Sequence, residues 1–340
     1  MPVRLTYKSL VISALVLIVI LAVLSQFVDW SLVIQQIRQA NKPALTGGTI
    51  FLLLGYWFYA VRWRFLLENQ PRLRNTYHAS NAGNMANTLL PLRPGDAARI
   101  LILGKLDRIP LAKVTTSIIV ERWYEQIMRL AALGGAIVFG LGISVSTPSI
   151  LGSALFLIAS LLAIVWMTRQ EEYLLRKLPP FLARLPRLTE AHARHSLENL
   201  LEGLRGMTSF RNQGLALLWS VVTWTFFWLF HYLCLIAIQP DMDLMSALSL
   251  SLASLALVPP SATTLPGIYQ VSMMVPLGLV GYSENLLATY SLLMNIIEIA
   301  IVMILGIWGT MRAGITLGQL VDESIITPGE ETPQTNLEID

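Results

Sequence analysis

Two short runs of ionisable residues interrupt a chain that is otherwise apolar enough to enter a membrane. The first is Asn87-Thr-Leu-Leu-Pro91-Leu-Arg93-Pro94-Gly95-Asp96-Ala-Ala-Arg99, where two prolines break any helix and Arg93, Asp96 and Arg99 supply charge. The second is Glu121-Arg122-Trp-Tyr-Glu125, with Arg129 behind it. At 100° per residue Glu121, Arg122, Glu125 and Arg129 fall within an arc of about 100°, so they form one polar stripe on a helix. An ionisable side chain at the centre of a membrane helix costs roughly 2.5–3.5 kcal/mol. Four in one span therefore require partners or a wet cavity. Arginine forks suit phosphate, which they bind in a bidentate way while staying charged. The carboxylates could orient those arginines, balance their charge, or act as a general base. A plainer reading of the same residues is an internal salt-bridge network with a positive anchor.

Composition sets the class. The chain has 340 residues, 54% hydrophobic and 13% charged, with mean hydropathy +0.60. Several apolar runs are long enough to cross a hydrocarbon core of ~30 Å. A net charge of +3 is too small to suggest nucleic acid, and the basic residues gather in loops, as orientation requires. Cys234 is the single cysteine, so no intramolecular disulfide exists. His78, His192, His195 and His231 show no metal-ligand spacing. There is no P-loop, Gly-x-Ser-x-Gly or zinc signature, which argues against ATP-driven transport within this chain. No cofactor or metal is expected.

The elements that must position the charges follow from the pattern. The expected fold is an all-α polytopic membrane protein of about six transmembrane helices plus two re-entrant helical hairpins in an inverted repeat. One transmembrane domain covers 1–312, beginning with an uncleaved helix at 10–28 after Arg4 and Lys8. Trp30 to Ala40 reads as an amphipathic interfacial segment. The first repeat covers 44–142 and holds a hairpin at 77–104. Its first span ends near Val61, so Arg62 and Arg64 read as cytoplasmic anchors. A connecting helix lies at 150–168 and a cytoplasmic amphipathic linker at 169–213. The second repeat, 214–309, has its hairpin at 244–280, broken at Pro259-Pro260-Ser-Ala-Thr-Thr-Leu-Pro266-Gly267, and a span bearing Asn295 and Glu298. An acidic tail, 313–340, reads as disordered. Paired interrupted segments in two halves are the transporter pattern that points to a binding site near the midplane. Each Pro-Gly would start a half-helix whose free N–H groups favour anions. Asn81, Asn84 and Asn87 recur at helical spacing and suit capping of the broken backbone.

With these motifs in place, the chain resembles the transmembrane region of lysylphosphatidylglycerol synthases and the related stand-alone flippase-like membrane proteins. The resemblance rests on Arg62-Trp63-Arg64, Asn87-x-x-x-Pro91-x-Arg93-x-Gly95-Asp96-x-x-Arg99, Glu121-Arg122 and the second Pro-Gly turn, and it runs from about residue 10 to 312. It implies movement of lipids between leaflets. Bifunctional members carry a soluble aminoacyl-transferase domain after the membrane part, whereas about thirty residues follow the last span here, so synthase activity is not expected. One departure is Gly267-Ile-Tyr-Gln270, where the family usually has Gly-x-x-Glu. A neutral amide neither carries a proton nor pairs with a buried arginine as a carboxylate does.

The expectation is thus a lipid flippase-like transporter of an anionic or modified lipid, either a phospholipid or a polyprenyl-phosphate-linked one. The alternative is a membrane-embedded enzyme, or enzyme partner, acting on a lipid headgroup. Candidate substrate-binding residues are Asn87, Arg93, Asp96, Arg99, Glu121, Arg122, Glu125, Gln270 and Glu298. The partner is a membrane lipid headgroup, and oligomerisation stays open. The expected location is a bacterial or archaeal plasma membrane, with both termini cytoplasmic. In accessibility labelling, cysteines introduced at Ser146 and Asp241 should react from the outside; reaction from the cytoplasm would reverse this orientation.

Overall fold

Asn41 begins the first long helix of the computed structural model: its side chain accepts the Ala44 N–H at 3.1 Å, and Pro43 pre-sets the first turn. The structure describes residues 30–89, 94–141, 170–182, 210–258 and 267–314, with a few positions between 166 and 201. The expected first helix, the loop around 144–149, nearly all of the connecting helix, both hairpin turns, most of the linker and the tail beyond Gly314 lie outside the described residues.

Ten helices and no strand occur among the described residues. In chain order they are α1 (Trp30–Gln39), α2 (Lys42–Leu66), α3 (Leu73–Leu89), α4 (Gly95–Asp107), α5 (Leu111–Val138), α6 (Glu171–Leu182), α7 (Phe210–Ile238), α8 (Leu244–Leu257), α9 (Ile268–Gly278) and α10 (Glu284–Ala313). Three stretches, Lys42–Leu66, Gln213–Ile238 and Glu284–Ala313, are long and apolar enough to cross a membrane. At 28 residues α5 matches them in length, but Glu121, Arg122, Glu125 and Arg129 lower its hydropathy. By contrast α8 and α9 have 14 and 11 residues. At about 1.5 Å per residue neither reaches across ~30 Å of hydrocarbon.

The packing has an exchange symmetry. Replacing α2, α3, α4 and α5 by α7, α8, α9 and α10, and the reverse, maps the main helix pairings onto themselves. Thus α2 packs on α3 as α7 packs on α8, α4 on α5 as α9 on α10, and α3 on α10 as α8 on α5. The central pair is α2 with α7, and it is antiparallel. Asn41 donates its N–H to the Ala237 carbonyl at 2.8 Å, Gly55 faces Phe227, and Phe65 stacks on Trp219 at 6.0 Å. Helix α1 stands outside the exchange: Val33 is buried against α10 and α7, and Gln36 accepts the Thr289 hydroxyl at 2.6 Å.

Helix α3 is the unusual element, because every residue from Thr76 to Asn87 is buried although the run is polar. Small side chains make this workable, since they let neighbouring helices approach at backbone distance. Gly309 of α10 lies so near the His78 carbonyl that an added Cβ would sit 2.6 Å from it. On the opposite side Gly83 faces Gly95 of α4, where an added Cβ would be 2.7 Å from the Gly95 carbonyl. The Asn87 side chain then accepts the Gly95 N–H at 2.7 Å, holding the start of α4 against the end of α3.

Neither glycine has room to accommodate a methyl group. Gly83→Ala and Gly95→Ala should each destabilise the protein by about 1–3 kcal/mol, the cost of overpacking, read as a lower melting temperature in detergent. Alanine at Gly134, which has open space around it, should leave the melting temperature essentially at its wild-type value.

Candidate functional site

Three helices converge on the polar stripe. The last turns of α2 present Tyr59, Arg62 and Trp63 at helical i, i+3 and i+4 positions. The start of α4 brings Asp96 and Arg99, held there by the Gly83–Gly95 crossing. Helix α5 contributes Glu121, Arg122 and Glu125.

Glu121 lies at the centre and is wholly buried. Its Oε1 receives Arg62 Nη2 at 2.6 Å and its Oε2 receives Arg99 Nη2 at 2.6 Å. Arg99 also donates to the Tyr59 hydroxyl at 3.0 Å, and its guanidinium lies 3.9 Å from the Trp63 ring centroid. Tyr59 stacks beneath Arg62 as well, at 4.7 Å. The indole N–H of Trp63 is satisfied by Ser117 Oγ at 2.9 Å. Further out, Arg122 donates to both oxygens of Asp96 at 2.8 Å and to Glu125 Oε2 at 2.8 Å. Glu125 closes the ring with a 3.6 Å contact to Arg62. Three guanidinium groups thus meet three carboxylates in one charge-balanced lattice.

Its two faces differ in access. Arg62 and Glu121 are 0% exposed and Arg99 1%, while the side chains of Arg122 and Asp96 are 25% and 29% exposed. On the buried side, Arg62 Nε and Nη1 and Arg99 Nε find no acceptor among the described residues. The lattice therefore has an open rim at Arg122–Asp96 and spare guanidinium donors behind it. Arg93 belongs to the Leu90–Arg93 segment, outside the described residues, shortly before the N-terminus of α4.

A second, smaller polar group lies where α9 and α10 meet α2. Glu298 is buried and accepts the Tyr56 hydroxyl at 3.4 Å, and Gln270 Nε2 approaches Asn295 Oδ1 at the same distance. The Tyr269 hydroxyl and Asn295 Nδ2 are buried without partners among the described residues. Gln270 also serves the backbone, since its side-chain carbonyl accepts the Gly267 N–H at 2.6 Å at the start of α9. Gln270 and Glu298 do not touch the first lattice.

One placement differs from the sequence reading. Arg62 is not a cytoplasmic anchor, because α2 continues to Leu66 and carries it inward onto Glu121. Arg64 takes no part in the lattice contacts and donates its Nε–H to the Pro71 carbonyl at 2.9 Å, between α2 and α3. The spacing of Tyr59 to Arg62 and Trp63, an aromatic platform one helical turn from a cation, is the signal that the sequence offers. Asn87 proves to be a backbone clamp, as its helical spacing suggests, and Asn81 donates to the Tyr77 carbonyl at 3.0 Å.

An α-helical integral membrane protein with a neutral ionic lattice buried between its helices is the class that this fold and site define. The chain belongs to the family of the lysylphosphatidylglycerol synthase TM region, whose pattern matches residues 9–306. It is also similar to glycosyltransferase AglD of Haloferax volcanii, 26% identical over 145 residues, which are 41% of this chain and 23% of that protein. The chain thus matches less than a quarter of that relative's length. No solved structure matches it.

Removing one partner of a buried pair strands the other charge and costs about 3–5 kcal/mol. Glu121→Leu, which strands two, should unfold at a distinctly lower temperature than wild type. A Glu121→Leu protein with wild-type melting temperature would exclude Glu121 from any energetically coupled network.

Proposed function

We propose that the protein is a lipid translocase of the flippase type, moving a lipid with an anionic, phosphate-bearing headgroup between leaflets. The observation that carries this reading is the half-open lattice. A phosphate arriving at the rim competes with Asp96 for the fork of Arg122, and Arg93, which precedes Pro94 in the chain, is the candidate for a second cation. Behind the rim, Glu121 and Glu125 hold Arg62 and Arg99 in place, so the cations are positioned before the headgroup arrives. Family membership supports a lipid-related role.

In this reading both termini are cytoplasmic, six helices span the bilayer, and α3–α4 and α8–α9 are re-entrant hairpins entering from opposite sides. The exchange symmetry of the packing, the antiparallel α2–α7 pair and the shortness of α8 and α9 support it. The headgroup would pass from the lattice toward the Gln270–Asn295–Glu298 group while the acyl or polyprenyl tail stays in lipid.

A second reading is a membrane-embedded enzyme, or enzyme partner, that modifies a lipid headgroup, with Asp96, Glu121 or Glu125 as general base. The similarity to a protein named as a glycosyltransferase favours keeping it in view.

Leaflet exchange of labelled phosphatidylglycerol and of a labelled polyprenyl phosphate in liposomes separates the two. Wild type should accelerate exchange of at least one of them without consuming it. The Arg93→Ala, Arg122→Ala double variant should slow that exchange by about tenfold or more, and Arg122→Lys should also impair it, since a point charge lacks the bidentate fork. Unchanged exchange in a folded double variant would remove this site from the pathway. A chemically altered lipid with no exchange would establish the enzyme.

A further inference from the structure

A cavity of about 490 Å³ opens on the flank formed by α2, α3 and α10, away from the ionic lattice. Its walls are aromatic: Trp57, Tyr77 and Trp308, with Tyr77 lying 5.4 Å from Trp57 and 6.1 Å from Trp308. Trp57 and Trp308 are 44% and 45% exposed. Both belong to helices long and apolar enough to span a membrane. At one end the cavity is bordered by Arg74, in the first turn of α3, and Arg312, in the last turn of α10. Both arginines are exposed, and neither forms an ion pair among the described residues.

An aromatic belt with basic residues beside it is common at membrane interfaces, and alone it would mean only anchoring. The floor of this cavity is different. His78 lines it, is 4% exposed, and its Nδ1 finds no hydrogen-bond partner among the described residues. A buried polar atom in a native fold ordinarily has a partner. Among the described residues none supplies one, and the side chain that carries the atom borders the cavity. The volume lies within the range of small-molecule pockets. It combines two unpaired guanidinium groups, a spare ring nitrogen and an apolar aromatic wall.

We propose that this groove binds one anionic phospholipid. Its phosphate is held by Arg74 and Arg312 at the interface, with a headgroup hydroxyl or phosphate oxygen reaching His78. The upper part of an acyl chain lies against Trp57, Tyr77 and Trp308. Arg312 and Trp308 are one helical turn apart, about 6 Å along α10, which matches the step from a phosphate to the first carbons of a chain. This site is separate from the lattice and does not depend on translocase activity.

The test is the melting temperature of the full-length protein in nanodiscs of neutral phosphatidylcholine, titrated with short-chain phosphatidylglycerol. Native mass spectrometry counts the lipid retained. Wild type should be stabilised saturably and retain one phosphatidylglycerol, with no response to short-chain phosphatidylcholine. Arg74→Gln, Arg312→Gln should need roughly tenfold more phosphatidylglycerol or more, the loss expected for charge-assisted hydrogen bonds. Lys105→Gln, Arg108→Gln, which removes two exposed cations elsewhere, should titrate like wild type. An equal response of both double variants would overturn the site, and so would equal stabilisation by inorganic phosphate alone. A wild type silent to phosphatidylglycerol would overturn it too. If Asp322→Asn, Glu323→Gln then responded, the acidic C-terminal segment would be the occupant of the groove in place of lipid.

Discussion

Glu121 between Arg62 and Arg99 is the interaction on which the rest of this structure depends. Each ion alone would be costly to place in a low-dielectric interior, and their attraction offsets that cost only when geometry and further hydrogen bonds are good. Here both carboxylate oxygens are used, both arginines are stacked on aromatic rings, and a second carboxylate and arginine continue the pattern to the rim. Those demands fix the relative positions of α2, α4 and α5 to within a hydrogen-bond length. A small apolar cluster including Trp63, Ile102, Leu103, Val114 and Ile118 surrounds the lattice and limits water.

Close helix approach is the means by which the charges meet. The Gly83–Gly95 crossing brings α4 against α3 so that Arg99 runs over Gly83 toward Glu121. Polar α3 can be buried because its own side chains are short and because Asn81 bonds a carbonyl of its own helix while Asn87 takes the Gly95 N–H across the break. The second half uses the same arrangement of helices with different chemistry. Serines and tyrosines replace arginines there: His231 Nδ1 lies 2.7 Å from Ser254 Oγ, and the Tyr290 hydroxyl donates to the His231 carbonyl at 2.9 Å.

Much of this is legible in the sequence, and the reasons are physical. Long apolar runs, Pro-Gly breaks and the 100° stripe on α5 each have one simple structural solution, so the half-helix starts at Gly95 and Ile268 follow from local rules. Arg62 is not legible in this way, because a basic residue near the end of an apolar run satisfies the positive-inside pattern whether the helix stops before it or continues. Its partner in the chain, Glu121, decides between the two, and sequence spacing does not encode that contact. Tyr59 and Trp63 are legible only as an aromatic platform within a helical turn of Arg62, since spacing does not tell that Arg99 of another helix rests on the same rings. For Gln270 the sequence draws attention to what an amide cannot do, which is to protonate, while in the fold its acceptor oxygen serves the cap.

That cap separates the two halves electrically. Helix α4 carries Asp96 in its first turn, so a full negative charge sits against the partial positive charge of its N-terminus. Helix α9 has no acidic residue in its first turn, and Gln270 answers one N–H without adding charge. The backbone is repeated, but the field is not. One half-helix begins with an acidic side chain that Arg122 and Arg99 approach, and the other begins with a neutral amide.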